Sequence, residues 1–171
     1  MTGRMLLILM SMLALAVVTP GAAVAAPGGT DRPLEGTGTG TLSFNFIFGT
    51  PIAATAEGTA DFSHLGKSTY TQNYTITATS LTTYTIAGTE TIVAANGDML
   101  FATLTGAGDN PSLVVGETFE TPVVFTITGG TGRFAGASGT QTATFTTVID
   151  SIVGTTITSS QTFTRQGTIS Y

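Results

Sequence analysis

From Gly36 to Tyr171 the chain alternates apolar and polar residues with a period of two, and threonine supplies much of the polar half. Leu42, Phe44, Phe46 and Phe48 share one parity. Ala54, Ala56, Gly58, Ala60 and Phe62 do the same in the next stretch, set against Thr55, Glu57, Thr59 and Asp61. Only an extended strand sends successive side chains to opposite faces, so this pattern excludes helices as the building material. The alternation recurs in Tyr70, Gln72, Tyr74 and Ile76, then in Tyr84, Ile86, Gly88, Glu90 and Ile92. It returns in Ala143, Phe145, Thr147 and Ile149, and the last strand carries Ile157, Phe163 and Ile169 on one parity. Threonine makes up about a fifth of the chain, a composition that favours strands over helix interiors.

The later strands are expected over Thr82–Ala94, Asp98–Thr105, Thr118–Thr128, Thr140–Ile149 and Thr155–Tyr171, giving eight in all. Asn96-Gly97 predicts a type I′ hairpin. Gly106–Pro111 reads as a loop, and Gly88 in mid-strand predicts a bulge. Eight antiparallel strands with one apolar and one threonine-rich face predict a closed all-β barrel, which leaves no exposed edge. A two-sheet sandwich fits the same alternation.

Upstream, Arg4 precedes the apolar run Met5–Val18 and the small-residue tract Ala22–Ala26, with an Ala23-Val24-Ala25 cleavage pattern. This is the form of a secretory signal peptide, too short for a spanning helix. Residues 1–25 are therefore expected to be removed, after Ala25 or Ala26. The remaining protein would be secreted, or periplasmic if the source has an outer membrane, without membrane insertion. Taking 25 from 171 leaves 146 residues, one domain by length. Residues 26–35 read as a flexible leader and 36–171 as the barrel domain. The chain has no cysteine, so neither a disulfide framework nor a lipoprotein anchor is available. Five cations face ten anions, a net charge of −5, and Arg4 leaves with the signal segment. With no basic patch, nucleic acid is not an expected partner.

Thr128–Gly139, "TGGTGRFAGASG", invites a nucleotide-loop reading. The G-x-G-x-x-G spacing fails because Ala135 stands where glycine is needed, and Thr140–Ile149 alternates as a strand rather than opening a helix. Gly36-Thr-Gly-Thr-Gly40 fails likewise, since it runs straight into an alternating strand. The expectation is a structural corner in which Gly129, Gly130, Gly132 and Gly136 permit tight backbone geometry. Phe134 would tuck into the barrel end, and Arg133 would cap carbonyls or pair with a carboxylate.

Residues 127–140, "ITGGTGRFAGASGT", resemble the signature of the allene oxide cyclase-like and dirigent-like barrel superfamily. Phe62–Thr71 and Ala94–Gly106 resemble segments of its secreted bacterial-type members, and the similarity spans about residues 36–171. The resemblance implies an eight-stranded antiparallel barrel with an apolar cavity, and a homotrimer as one assembly. It does not carry over a matched set of functional residues.

His64 is the sole histidine, so a His/Cys metal cluster is unavailable, and no metal or other cofactor is expected. No G-x-S-x-G elbow is present to build a hydrolytic triad on His64, which reads as a corner residue bonding the local backbone. Glu90 shares parity with Tyr84, Ile86 and Ile92. If that face points inward, Glu90 is a carboxylate in an apolar barrel, where desolvation would raise its pKa and suit it to acid catalysis or ligand orientation. The opposite register would leave it in water. Tyr70, Tyr74 and Tyr84 either line a cavity with it or pack as core. No catalytic residue is assigned. The leading expectation is a non-enzymatic barrel that binds a small hydrophobic ligand or acts as an extracellular interaction module. The alternatives are a cyclase or dirigent-type enzyme with a buried carboxylate, and a structural protein with a filled barrel.

Overall fold

The computed structural model describes residues 29–47 and 51–171; the signal segment and Phe48 lie outside them. The strands are β1 (Arg32–Pro33), β2 (Gly36–Asn45), β3 (Ile52–Phe62), β4 (Gly66–Ala78) and β5 (Thr83–Val93). They continue as β6 (Met99–Asp109), β7 (Thr118–Gly130), β8 (Ser138–Val153) and β9 (Thr156–Ser170), with a single 3-10 turn at Gly132–Phe134. Each strand from β2 to β8 pairs antiparallel with the next. β9 then closes on β2, in unbroken register from Gly36 opposite Arg165 to Asn45 opposite Thr156. Closure makes this an eight-stranded barrel and excludes the sandwich.

The inward face is the apolar one. Leu42, Ala56, Tyr70, Ile92, Leu104 and Phe125 are all buried, while the intervening threonines are mostly exposed. The register that would have put threonine inside is therefore not the one formed. Gly36, Gly38 and Gly40 occupy inward positions of β2, where aromatic side chains from other strands take the space. A Cβ on Gly36 would meet the Phe62 ring at 2.1 Å, on Gly38 the Phe163 ring at 2.3 Å, and on Gly40 the Tyr70 hydroxyl at 2.1 Å. Alternating absent and large side chains fill a narrow barrel in this way.

Four local expectations are corrected. Half of the expected leader is built into the barrel: Arg32 and Pro33 pair with Ile169 and Thr168, Leu34 is 1% exposed, and its N–H donates to the Gly167 carbonyl at 2.9 Å. Residues 106–109 extend β6 rather than forming a loop, with Gly108 opposite Tyr84. Gly88 is not a bulge, since it pairs continuously with Tyr74 and Leu104. It is glycine because a Cβ would lie 2.2 Å from the Asn73 carbonyl oxygen. Irregular register falls instead after Phe101 and after Ile149.

The Asn96-Gly97 hairpin is also not type I′. Only Gly97 has a positive φ, 87°, and its N–H donates to the Ala94 carbonyl at 2.9 Å, while the Ala94 N–H donates to the Asp98 carbonyl at 2.8 Å. This is a three-residue loop, a type I turn followed by one left-handed residue.

The glycine segment seals one end of the barrel. Phe134 is fully buried and meets Tyr171 edge-on, with ring centroids 5.2 Å apart. Arg133 donates from Nη2 to the His64 carbonyl and from its backbone N–H to Asp98 Oδ2 at 3.2 Å. Its Nε also lies 3.9 Å from that carboxylate oxygen, so it both caps a carbonyl and pairs with an acid. Gly132 has φ 54°, and a Cβ there would sit 1.9 Å from Asp98 Oδ1. His64 takes part through its main chain, with φ 69°, and its ring lies edge-on to Tyr171.

Candidate functional site

The opposite end holds a cavity of about 390 Å³. Leu42, Ile86, Leu104, Val123 and Phe145 line its depth, while Ile47, Leu81, Pro111 and Leu113 come from the loops that ring its mouth. The lining is overwhelmingly apolar because strands β2, β5, β6 and β7 all direct aliphatic or aromatic residues inward at this level. Leu81 is 93% exposed at the rim.

Beneath the cavity floor lies a polar layer. Glu90 on β5 and Arg165 on β9 point inward and meet across the barrel: Nη1 donates to Oε2 at 2.7 Å and Nη2 to Oε1 at 2.5 Å. Gln72, opposite Glu90 on β4, adds Nε2 to Oε1 at 2.8 Å. The guanidinium is packed among rings, 3.8 Å from the Phe125 centroid and 4.6 Å from that of Phe163. Two parallel charge-assisted hydrogen bonds and aromatic faces together replace the water lost on burial.

Glu90 is thus inside, as one of the two registers required, but it is one half of an ion pair and not a lone carboxylate. The sequence reading missed Arg165. Its signal was present, since Arg165 shares parity with Ile157, Phe163 and Ile169 on an inward-facing strand.

Of the four residues singled out as ligand-binding, Tyr74 and Tyr84 line the cavity, and Glu90 and Tyr70 lie outside its lining. The Tyr84 hydroxyl is engaged with Thr121 Oγ1 at 2.5 Å. Tyr70 packs edge-on against Phe163, centroids 5.4 Å apart, with its hydroxyl sealed and without a hydrogen-bond partner. Gln72, Gln161 and Thr147 supply the polar part of the floor, with Gln161 Nε2 donating to Thr147 Oγ1 at 3.1 Å. The alternation puts Gln72 and Thr147 on the apolar parity but gives them no role, and Gln161 is not singled out, because an uncharged polar residue on an inward face carries no local signal of what it meets.

Burial pushes the Tyr70 hydroxyl up to about 12, the nearby Arg165 charge offsetting part of the rise. Burial also raises Tyr74, helped by the neighbouring phenols Tyr84 and Tyr70, and burial raises Tyr84. All three therefore stay neutral donors through the physiological range. A phenol with a folded pKa above its unfolded value of about 10 stabilises the fold fully below that value. This contribution is lost as pH rises through the folded pKa. Urea titrations should give a flat stability between pH 7 and 9. Above pH 10 stability should fall by about 1.4 kcal/mol per pH unit for each phenol that ionises only on unfolding. A stability unchanged to pH 12 would mean that these phenols reach water in the folded state.

No protein-family model matches the chain, and neither curated proteins nor solved structures provide a match.

Proposed function

We propose that the protein is a binding barrel that holds a small apolar molecule at its open end, acting outside the cell after removal of residues 1–25. The observation that carries this reading is the cavity itself. Its volume of about 390 Å³ lies within the range of small-molecule sites, and its lining is apolar with a few polar groups at the floor. A structural barrel would be expected to fill this space as the other end is filled by Phe134, Leu34 and Leu65, all nearly or fully buried. The resemblance of residues 127–140 to allene oxide cyclase-like and dirigent-like barrels supports the same reading, since it implies an apolar cavity. An enzyme using Glu90 as an acid is less favoured, because that carboxylate accepts three hydrogen bonds and stands outside the cavity lining.

Native mass spectrometry of the protein from its own culture medium should detect a bound hydrophobic molecule. A recombinant test uses a neutral fluorescent probe, N-phenyl-1-naphthylamine. Ile76 lines the cavity and is only half-buried, so Ile76→Trp should fill the space without disturbing the core. Probe binding should fall at least about tenfold with the thermal midpoint unchanged, as loss of apolar contact area of this size predicts. Equal probe binding by Ile76→Trp and the parent would remove the cavity as the site.

A further inference from the structure

The polar floor also narrows the kind of guest, given the reading of the cavity as a ligand site. Among the described residues, four buried polar atoms are both unpartnered and sealed from solvent: Tyr70 Oη, Ser159 Oγ, Gln161 Oε1 and Arg165 Nε. Tyr74 Oη and Gln72 Oε1 likewise make no hydrogen bond to the described residues, yet they are not among the sealed atoms, and both residues line the cavity. They are two positions apart on β4, on the same inward face, about 7 Å along the strand. Gln72 is 3% and Tyr74 9% exposed, so what these two oxygens meet beyond the protein is the space of the cavity.

The orientation of the Gln72 amide follows from Glu90. A carboxylate only accepts, so the amide nitrogen must face it, leaving the oxygen as the free end. Tyr74 is a phenol held neutral, able to donate. Of the other polar groups in the lining, Tyr84 is engaged with Thr121 and Gln161 Nε2 with Thr147. Gln161 Oε1 is sealed from solvent, and Ser80 and Asn110 lie exposed at the rim. Below the rim the cavity therefore presents one unsealed acceptor that lacks a donor, Gln72 Oε1, and, from the next inward position of the same strand, one hydroxyl that can donate or accept, Tyr74 Oη.

We infer that the ligand is an uncharged hydroxyl compound whose apolar body fills the cavity and whose O–H donates to Gln72 while its oxygen accepts from Tyr74. A hydroxyl does both through one atom. An ether or ketone could accept from Tyr74 but would leave Gln72 Oε1 without a donor, which a buried acceptor tolerates poorly. A carboxylate would place a charge against the Gln72 oxygen, in an apolar chamber whose nearby guanidinium is already paired with Glu90.

The test displaces N-phenyl-1-naphthylamine from the mature protein with three matched competitors: 1-octanol, its isomer heptyl methyl ether, and octanoate. The alcohol should compete about tenfold better than the ether, the cost of one unmet buried acceptor, and octanoate should compete least. In Tyr74→Phe both alcohol and ether should weaken while the gap between them persists. In Gln72→Met the gap should vanish, with circular dichroism confirming that each variant is folded. Should Gln72→Met fail to fold, the parent alcohol–ether gap and Tyr74→Phe still decide the matter. Ether and alcohol competing equally, or octanoate competing best, would overturn the head-group assignment and leave the cavity reading standing. No binding of the probe or of any competitor would overturn the cavity reading itself.

Discussion

Arg165→Met should destabilise the barrel by about 3–5 kcal/mol, the cost of leaving a buried carboxylate without its partner. Glu90 is 2% exposed and Arg165 3%, so neither charge can turn to water when the other is removed. Gln72 would remain as a single neutral donor to Glu90, which cannot replace two charge-assisted bonds. The reverse change, Glu90→Leu, should cost a similar amount by stranding the guanidinium among Phe62, Phe125, Phe145 and Phe163. Removing the whole layer is a different matter. Arg165→Met, Glu90→Leu and Gln72→Leu together should recover most of the loss, because an apolar layer has nothing to desolvate. Urea unfolding of the singles and the triple variant at neutral pH measures this directly. A single variant costing less than about 1 kcal/mol would mean that water reaches the pair in solution. A triple variant as unstable as the singles would mean that the ion pair fixes strand register across the barrel. That is the specificity role sometimes held by buried charges.

The same layer marks where the sequence was informative and where it was not. The eight barrel strands and their antiparallel order were legible because alternation is a local property, repeated eight times. Closure was expected but not separable from a sandwich until β9 is seen to pair with β2. The sealed end was legible too, since a glycine-rich corner with one phenylalanine and one arginine has few structural uses, and Arg133 does contact both a carbonyl and Asp98. Parity alone could not say which face turned inward, because a uniform one-residue slip reverses every assignment. The ion pair would have resolved it. Glu90 and Arg165 both share parity with large apolar residues, and two opposite charges on inward faces can satisfy each other where one alone cannot. That inference needs β5 and β9 to face each other across the lumen, which depends on tilt and stagger rather than on any local pattern. The cavity was illegible for the same reason. Whether phenylalanines fill a barrel depends on the level at which each enters it. Here Phe62, Phe125 and Phe163 surround Arg165 below the floor and Phe145 reaches it from the cavity wall. Phe44 and Phe46 line the open space above.

Gly36-Thr-Gly-Thr-Gly40 offers the other large effect, and it arises from that filling. Gly38→Ala should cost about 3 kcal/mol, at the upper end of ordinary overpacking. The new methyl would lie 2.3 Å from Phe163 Cζ and 2.8 Å from the Thr59 carbonyl oxygen. Gly38 lies between Phe163 on β9 and Ala60 on β3. Phe163 cannot simply turn aside, because its ring is in contact with Phe145 at 4.9 Å and Tyr70 at 5.4 Å between centroids. Gly97→Ala is the control. Nothing lies within 4 Å of that Cβ, so only the left-handed backbone, φ 87°, resists it, at about 1 kcal/mol. Shortening the clashing ring should relieve Gly38→Ala in part. The double variant Gly38→Ala/Phe163→Leu is expected to be about 1–2 kcal/mol more stable than the sum of the singles. The residual penalty comes from the Thr59 carbonyl, which belongs to the backbone and cannot withdraw. Simple additivity in that cycle would place the cost in the β2–β3 backbone contact instead of the aromatic ring. The motif would then be glycine because of close strand approach, with the ring merely occupying the space left over.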